Sequence, residues 1–282
     1  MTEMTAIDLE KKAFIPEKLD NLEKFMLEHE QEECPVFHSF GPSIYMREVH
    51  LKKDNFVIGH FHNFAHMNIF VKGKMKMLND DGTVSILTAP MSYVGKPGRK
   101  VAYILEDAVW INIYSETEQD VEKLEAKLLT KSIHFEEQQK LLGSLKQIKS
   151  ADDQKSYSEM LISEKVLDDD IKSIFGNSCN PMPFGVYKYK LGDSKINGVG
   201  VFATAPIEKC ETIGLIANKN GFTSLGHSLN HSNNPNCFIS SSIGDFYLSA
   251  GKNISGCCGG NDGDELTIDY REIIDFFKEK IK

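Results

Sequence analysis

Short amide, imidazole and hydroxyl side chains are concentrated in the stretch LGHSLNHSNNPNC, at residues 225–237. A core strand or helix would need apolar residues here, so this stretch cannot be a core segment. Two further motifs accompany it, INGVGVFAT at 196–204 and DGDELTIDYRE at 262–272. Taken alone, the three have ordinary explanations: an Asx-rich loop, a tight glycine turn and an edge strand with charged ends.

The order of the three motifs along the chain is more informative than any one of them. A Gly-x-Gly hairpin, then Asn-His-Ser-x-x-Pro-Asn, then Glu-Leu-Thr-x-Asp-Tyr resembles the SET-domain family of protein lysine methyltransferases. The matching pieces are SKINGVGVFATAPIEKCETI, LNHSNNPNC and GDELTIDY, which cover most of residues 186–272. The resemblance implies a β fold with a knotted C-terminus, where the second and third motifs cross. Buried irregular backbone at such a crossing needs side-chain amides and hydroxyls as hydrogen-bond partners.

The same resemblance implies an S-adenosylmethionine site and a protein substrate bearing lysine. Tyr270 matches the catalytic tyrosine of the family. The residues implied to bind the cofactor are Gly198, Val199, Gly200, Asn230 and His231.

The implied reaction is attack by a lysine amine on the methyl group of a sulfonium. A free lysine has a pKa of ~10.4 and must lose a proton before it can attack. A narrow apolar channel beside the positive sulfonium lowers that pKa through desolvation and like charge. The hydroxyl of Tyr270 and backbone carbonyls would then aim the lone pair, which is catalysis by positioning and requires no dedicated general base.

Two departures from the family pattern concern the substrate cleft. Only residues 214–229 separate Ile213 from Asn230, where family enzymes usually carry a longer insert that forms one wall of the cleft. An apparent insertion, CCGGND at 257–262, precedes the last motif. The cleft must therefore be completed by the helical connector, the N-terminal domain or a second subunit, and we expect a homo-oligomer.

Three histidines lie close together in GHFHNFAHMNIFVKG, at residues 59–73. His60 and His62 would share one face of a strand, and His66 follows four residues later. The spacing His-x-His-x3-His-x6-Gly resembles the first motif of the cupin family, with His66 where cupins usually have glutamate. KPGRKVAYILEDAVWINIY resembles the second cupin motif but lacks its histidine. The resemblance implies a barrel in which these histidines either bind a divalent transition metal or lie without one.

The surrounding pattern predicts a mainly β chain with a helical connector. Residues 1–35 predict a helical segment around Leu19, Leu22 and Met26. Short β-type runs between Asp-Gly, Gly and Pro-Gly turns predict an antiparallel barrel or sandwich, and the cupin resemblance implies a cupin-like β-barrel at 36–115. Residues 116–179 predict the connector, which would open with a capping box at Ser115 and Glu118. Residues 180–282 predict the SET-like domain.

The composition limits the partners. The net charge of −9 makes nucleic acid a poor partner and a basic, lysine-bearing protein surface a compatible one. The six cysteines show no CxxC spacing and fit a reducing compartment. The N-terminus has no apolar segment of the kind found in signal peptides, and no window is long and apolar enough for a membrane span. We therefore expect a cytoplasmic protein.

Three functions remain open. The first is a SET-like protein lysine N-methyltransferase whose cupin-like domain recruits or oligomerises. The second is a non-catalytic structural or binding protein that uses both folds as assembly modules. The third makes the cupin-like part a metalloenzyme, against which the missing histidine of its second motif counts.

Overall fold

The computed structural model describes residues 18–175, 179–256 and 264–277, except for the side chains at 140–153, 170 and 275–277. The first part of the predicted N-terminal segment and the CCGGND insertion lie outside the described residues. The remainder of that segment forms the predicted helix, α1, at 18–27.

The N-terminal part is built from strands, as the alternating pattern predicts. These strands are β1 (Val36–Gly41), β2 (Ile44–Leu51), β3 (Phe56–Ile58), β4 (Phe61–His62), β5 (His66–Leu78), β6 (Val84–Thr88), β7 (Met91–Gly95) and β8 (Val101–Tyr114).

These strands form an open, curved sheet in place of the predicted barrel. The sheet has eight strands in the order β10-β1-β2-β8-β5-β6, where β10 is the later strand Gly185–Tyr187, with β3 added to β8 and β7 added to β5. Its end strands, β10 and β6, are not paired with each other among the described residues. Curvature comes from β5, which shifts register against β8 at three places between Phe70 and Met75. Gly73 lies at these shifts with φ +99°, and a Cβ there would come within 2.7 Å of Ala108 Cα.

The connector consists of helices, but it begins later than predicted. Its elements are α2 (Val121–Leu128), β9 (Leu129–Thr130), α3 (Ile133–Glu164) and α4 (Asp168–Phe175). The N-cap of α2 is Asp120, whose carboxylate accepts from the backbone N–H groups of Glu122 and Lys123. The capping box predicted at Ser115 does not form, because β8 continues to Tyr114 and Glu118 instead accepts from the backbone of residues 119 and 120.

The C-terminal part contains short strands in several small sheets. Its elements are β10 (Gly185–Tyr187), β11 (Tyr189–Asp193), β12 (Val199–Ala203), β13 (Thr212–Asn218), β14 (Gly221–Phe222), α5 (Ser224–His227), β15 (Asn230–His231), β16 (Cys237–Ser242), β17 (Asp245–Ala250), β18 (Thr267–Ile268) and α6 (Tyr270–Phe277). The largest of these sheets has the order β14-β13-β17-β16, whereas β15 and β18 form a separate parallel pair.

The two parts share structure at their junction. Strand β10 pairs antiparallel with β1 of the N-terminal sheet. Thr204 exchanges two hydrogen bonds with the backbone of Val36, each 2.8 Å long. The main core, which includes Val201, Leu225 and Leu248, belongs to the C-terminal part and also takes in Met160 of α3. The connector is therefore packed into the C-terminal part.

None of the described helices combines the length and the apolar character needed to cross a membrane.

Candidate functional site

The asparagine-rich segment and the last strand lie side by side in the C-terminal part, as the paired strands β15 and β18. Asn230 pairs with Thr267 and His231 pairs with Ile268 in a parallel arrangement. The side chain of Asn236 continues the contact, because its amide donates to the carbonyl of Glu265 at 2.7 Å and its oxygen accepts from the N–H of Thr267 at 2.8 Å. The side chain of Asn236 thus satisfies backbone groups beside the paired strands β15 and β18.

His231 is held in one tautomer by its two neighbours. Its Nδ1 accepts from the backbone N–H of Tyr270 at 3.1 Å, so the ring proton lies on Nε2. Nε2 in turn lies 3.1 Å from the hydroxyl of Ser156, which is on α3 of the connector. His231 is buried, with only 2% of its surface exposed, and it connects the paired strands β15 and β18 to the connector.

Asn230 holds the glycine hairpin against the paired strands β15 and β18. Its amide donates to the carbonyls of Asn197 and Val199 at 3.1 and 3.3 Å, and to Glu265 Oε1 at 2.9 Å. Glu265 also accepts from the hydroxyl of Ser194 at 2.8 Å. A Cβ on Gly200 would collide with this carboxylate, which explains the glycine. All five predicted cofactor-binding residues are therefore adjacent in space.

Tyr270 is the first residue of α6, shortly after β18, and it is buried. Its hydroxyl donates to the carbonyl of Leu229 at 2.6 Å. Burial raises the pKa of this hydroxyl, with the negative charges of Asp168 and Glu265 adding to the effect. Tyr270 is therefore a neutral phenol that can donate or accept a hydrogen bond, but it does not act as a base at neutral pH.

Aromatic rings from the connector surround Tyr270. Tyr157 of α3 meets it edge-on with 5.7 Å between ring centroids, and Phe175 of α4 lies 5.9 Å away. The hydroxyl of Tyr157 donates to Asp168 at 2.6 Å. Sequence reasoning assigned no role to Tyr157, Phe175 or Glu265. Only Glu265, as the first residue of the Glu-Leu-Thr-x-Asp-Tyr motif, carried a signal.

The three N-terminal histidines are brought near one another without forming a common ligand set. The rings of His62 and His66 stack with centroids 4.4 Å apart. His62 Nδ1 contacts the hydroxyl of Tyr114 at 2.5 Å, and His66 Nδ1 lies 2.9 Å from the carbonyl of Phe64. His60 instead packs edge-on against Phe135 of α3, at 4.8 Å.

The electrostatics of these histidines favour neutral rings. Burial, the nearby charge of Arg47 and further cations lower the pKa of His60 to about 3. Burial, His66 and Arg47 lower that of His62 to about 3. Within the described residues, no group of three or more His, Cys, Asp or Glu side chains could hold a metal ion. The three imidazoles therefore do not fit the metal site that the cupin resemblance implies.

Comparisons with known proteins find resemblance only at the level of structure. No family model matches the chain, and no curated protein matches it in sequence. A cupin-2 domain protein from Shewanella frigidimarina is 15% identical with a TM-score of 0.25, covering 34% of this chain and 92% of that one. A cupin domain from Bordetella pertussis is 14% identical with a TM-score of 0.27, covering 32% and 99%. The Fe(II) form of HppE is 16% identical with a TM-score of 0.22, covering 26% and 42%.

Cupin-domain proteins are thus among the solved structures to which this chain is similar.

Proposed function

We propose that the chain is an S-adenosylmethionine-dependent protein lysine N-methyltransferase of the SET type. The observation that carries the proposal is the parallel pairing of β15 with β18. This pairing sets the glycine hairpin, the Asn-His segment and Tyr270 around one point of the fold, which is the arrangement that the family resemblance requires.

The residues around this point suit the cofactor. S-adenosylmethionine would supply an electrophilic methyl group on a positively charged sulfur. Glu265 supplies a carboxylate beside Gly198 and Gly200, whose lack of side chains lets the backbone come close to a ligand, and such a place favours a ligand that carries positive charge. In the described structure the amide of Asn230 holds the hairpin, so its proposed contribution is to shape the site.

The chain's own residues would orient and desolvate the substrate amine. Tyr157, Phe175 and Tyr270 offer apolar ring surface on which a lysine side chain can lie, excluding water from its amine. The hydroxyl of Tyr270 is fixed by Leu229 and can aim the lone pair of the neutral amine. Bound beside the hairpin and Glu265, S-adenosylmethionine would supply the methyl group for this nitrogen, and its carbon–sulfur bond would be the one that breaks.

Calorimetry of S-adenosylmethionine binding tests the cofactor site. We expect the wild type to bind, and Asn230→Ala to bind at least ~10-fold more weakly because the hairpin loses two hydrogen bonds and Glu265 loses one. Val84→Ala, an exposed change on β6, is the control and should bind like the wild type. No binding by the wild type at ~1 mM cofactor would end the proposal.

Methyl transfer itself is tested with a pool of lysine-containing peptides and a matched pool in which arginine replaces lysine. We expect S-adenosylhomocysteine to form with the first pool only. Tyr270→Phe should retain cofactor binding and lose ~100-fold in transfer.

The alternative is a non-catalytic binding or assembly protein. It is favoured by the internal partners that Asn230 and Tyr270 already have, since such bonds also serve a purely structural role. Cofactor binding without transfer to any lysine peptide would support this alternative over the enzyme. In either case we propose that the N-terminal sheet recruits a partner or assembles the protein into an oligomer.

A further inference from the structure

A row of polar side chains crosses the inner face of the N-terminal sheet. His38 of β1 is paired with Arg47 of β2, Arg47 with Asn112 of β8, and Asn112 with Asn68 of β5. His38, Asn68 and Asn112 are at most 5% exposed, and the Arg47 side chain is 12% exposed. A buried polar row across four strands is costly and indicates a purpose beyond packing.

Apolar and aromatic rows flank this polar row on both sides. One contains Val36, Val49, Trp110 and Phe70, and the other contains Phe40, Tyr45 and Tyr114. The polar row is therefore an isolated strip of hydrogen-bonding groups within an apolar surface. Ligand sites that fix the polar end of an apolar molecule have this composition.

A cavity of ≈ 520 Å³ opens above this face. Its walls include Arg47, His60, His62, Trp110 and Asn112. Helix α1 and the first turn of α3 close part of its mouth with Met26, Leu27 and Phe135. This volume lies within the range of sites for small organic ligands.

Arg47 is the cation that reaches the inner part of the cavity. Its ion pair with Glu125 is 3.9 Å long. Glu125 is shared with Lys131 at 3.6 Å and Lys190 at 3.9 Å, so one carboxylate faces three cations. Nε2 of His38, next to Arg47 in the row, has no hydrogen-bond partner among the described residues.

Most of the charged groups at the mouth are paired. Lys52 is paired with Glu32, and Glu23 with Arg99. Lys100 pairs with Asp80 at 2.7 Å. Asp54 pairs with Lys53 at 3.7 Å, and Glu30 adds a negative charge. The mouth therefore contributes no excess of cations, and the positive charge offered to a ligand inside is that of Arg47.

We propose that this cavity binds a small organic anion with an apolar body, whose carboxylate pairs with Arg47 while its hydrocarbon part lies against Met75, Met77 and Trp110. Arginine binds carboxylates through two parallel hydrogen bonds, which gives both strength and direction. The neutral imidazoles of His60 and His62 add donors without adding charge. This assignment stands in place of the metal site, whose third histidine, His66, does not line the cavity.

Binding can be followed with the full-length chain through Trp110, because it is the only tryptophan in the sequence and lines the cavity. The probes are sodium octanoate, octan-1-ol and octylammonium chloride, which share one hydrocarbon chain and differ in charge. We expect octanoate to change the emission saturably and to bind at least ~10-fold more tightly than octan-1-ol. Equal binding of the alcohol, or tighter binding of the ammonium, would overturn the proposal.

Variants at Arg47 assign the charge. Arg47→Met should remove the ~10-fold preference for octanoate, and Arg47→Lys should keep part of it. Lys52→Met, a mouth residue paired with Glu32, is the matched control and should bind like the wild type. An unchanged preference in Arg47→Met would contradict the proposal.

A measurement on the wild type tests the site independently of whether the Arg47 variants fold. Octanoate should raise the melting temperature of the wild type more than octan-1-ol does, because only the native state binds it. The absence of such a difference would count against the site. So would stoichiometric Zn²⁺ or Fe²⁺ binding that is lost in His62→Ala, since a metal centre would then occupy the cavity.

Discussion

The ring of Tyr157 on α3 meets the ring of Tyr270 edge-on, at 5.7 Å between centroids and an interplanar angle of 87°. Through this contact the connector reaches the residue with the proposed catalytic role. Ser156, one residue earlier, lies against His231 of the same site. The wall that residues 214–229 are too short to form therefore has a candidate in α3.

The first prediction concerns that wall. Tyr157→Ala should lower kcat for methyl transfer ~10-fold or more, since the amine would be less desolvated and Tyr270 less firmly held. Tyr157→Phe keeps the ring but loses the bond to Asp168, and should lie between the wild type and Tyr157→Ala. Cofactor affinity, measured by calorimetry, should stay within ~3-fold of the wild type.

The outcomes separate this role from the function itself. An active wild type with both Tyr157 variants equally active would show that the wall is elsewhere. A wild type that binds cofactor but transfers nothing would argue against the enzyme, whatever Tyr157 does.

The second prediction is acid destabilisation through the N-terminal histidines. Burial is the main cause that lowers the pKa of His60 and of His62 to about 3; the charge of Arg47 adds to it at both rings, and His66 adds to it at His62. Burial and Arg47 also lower the pKa of His38 well below its ordinary value. The unfolded chain protonates these rings near pH ~6.5. Their contribution is therefore fully present above pH ~6.5 and is lost as the pH falls toward 3.

Urea unfolding at several pH values measures this loss. His60→Phe should lose less free energy of unfolding than the wild type between pH ~7 and ~5, by ~1 kcal/mol. His29→Phe replaces an exposed histidine on the surface and should follow the wild-type pH dependence. Parallel pH profiles for the wild type and His60→Phe would mean that the His60 ring is not held neutral in the folded protein.

Particular residues show how far the sequence could predict this structure. The alternation in YMREVHL placed β2 correctly, and Tyr45 and Val49 lie inward as the period of two requires. The same alternation points Arg47 inward, but a lone arginine in a strand gave no reason to expect a polar row. That row is created by pairing between strands far apart in the chain, which no local pattern encodes.

The misplaced elements have similar causes. Gly73 and the charged pair Glu106–Asp107 interrupt the apolar pattern, yet β5 and β8 run through them because long antiparallel partners extend both strands. The barrel was expected from the many short strands and from the cupin resemblance, whereas closure depends on which edges meet. Tyr157 and Tyr270 are far apart in the chain, so no local spacing of residues predicts the contact between their rings.

The third prediction tests the glycine hairpin. Gly200→Ala would force a Cβ against the Glu265 carboxylate and within 2.9 Å of Ser194 Cβ. We expect a loss of ~1–3 kcal/mol in the free energy of unfolding, together with weaker cofactor binding. The matched control is Gly41→Ala, where no atom lies within 4 Å of the added Cβ, and its stability should change by no more than ~0.5 kcal/mol. Equal free energies of unfolding for the two variants would show that the hairpin accommodates the added Cβ without loss of stability.

The last prediction is that the protein is a homo-oligomer assembled through the outer face of the N-terminal sheet. Apolar residues meet there across three strands, since Met67 of β5 pairs with Val94 of β7 and with Ile113 of β8. Val94 is 66% exposed and Met67 is 41% exposed. A contiguous exposed apolar surface of this kind is typical of protein–protein contacts.

Light scattering of the full-length chain measures its oligomeric state. We expect the wild type to have at least twice the monomer mass, and Val94→Glu to shift toward the monomer because a charge buried in such an interface is strongly unfavourable. Ile162→Glu is the matched control: Ile162 is 78% exposed on α3, away from the sheet, and its replacement should leave the mass unchanged. A monomeric wild type would show that the sheet face does not pair copies of this chain, and the cleft would then have to be completed by α3 and α4 of the same subunit.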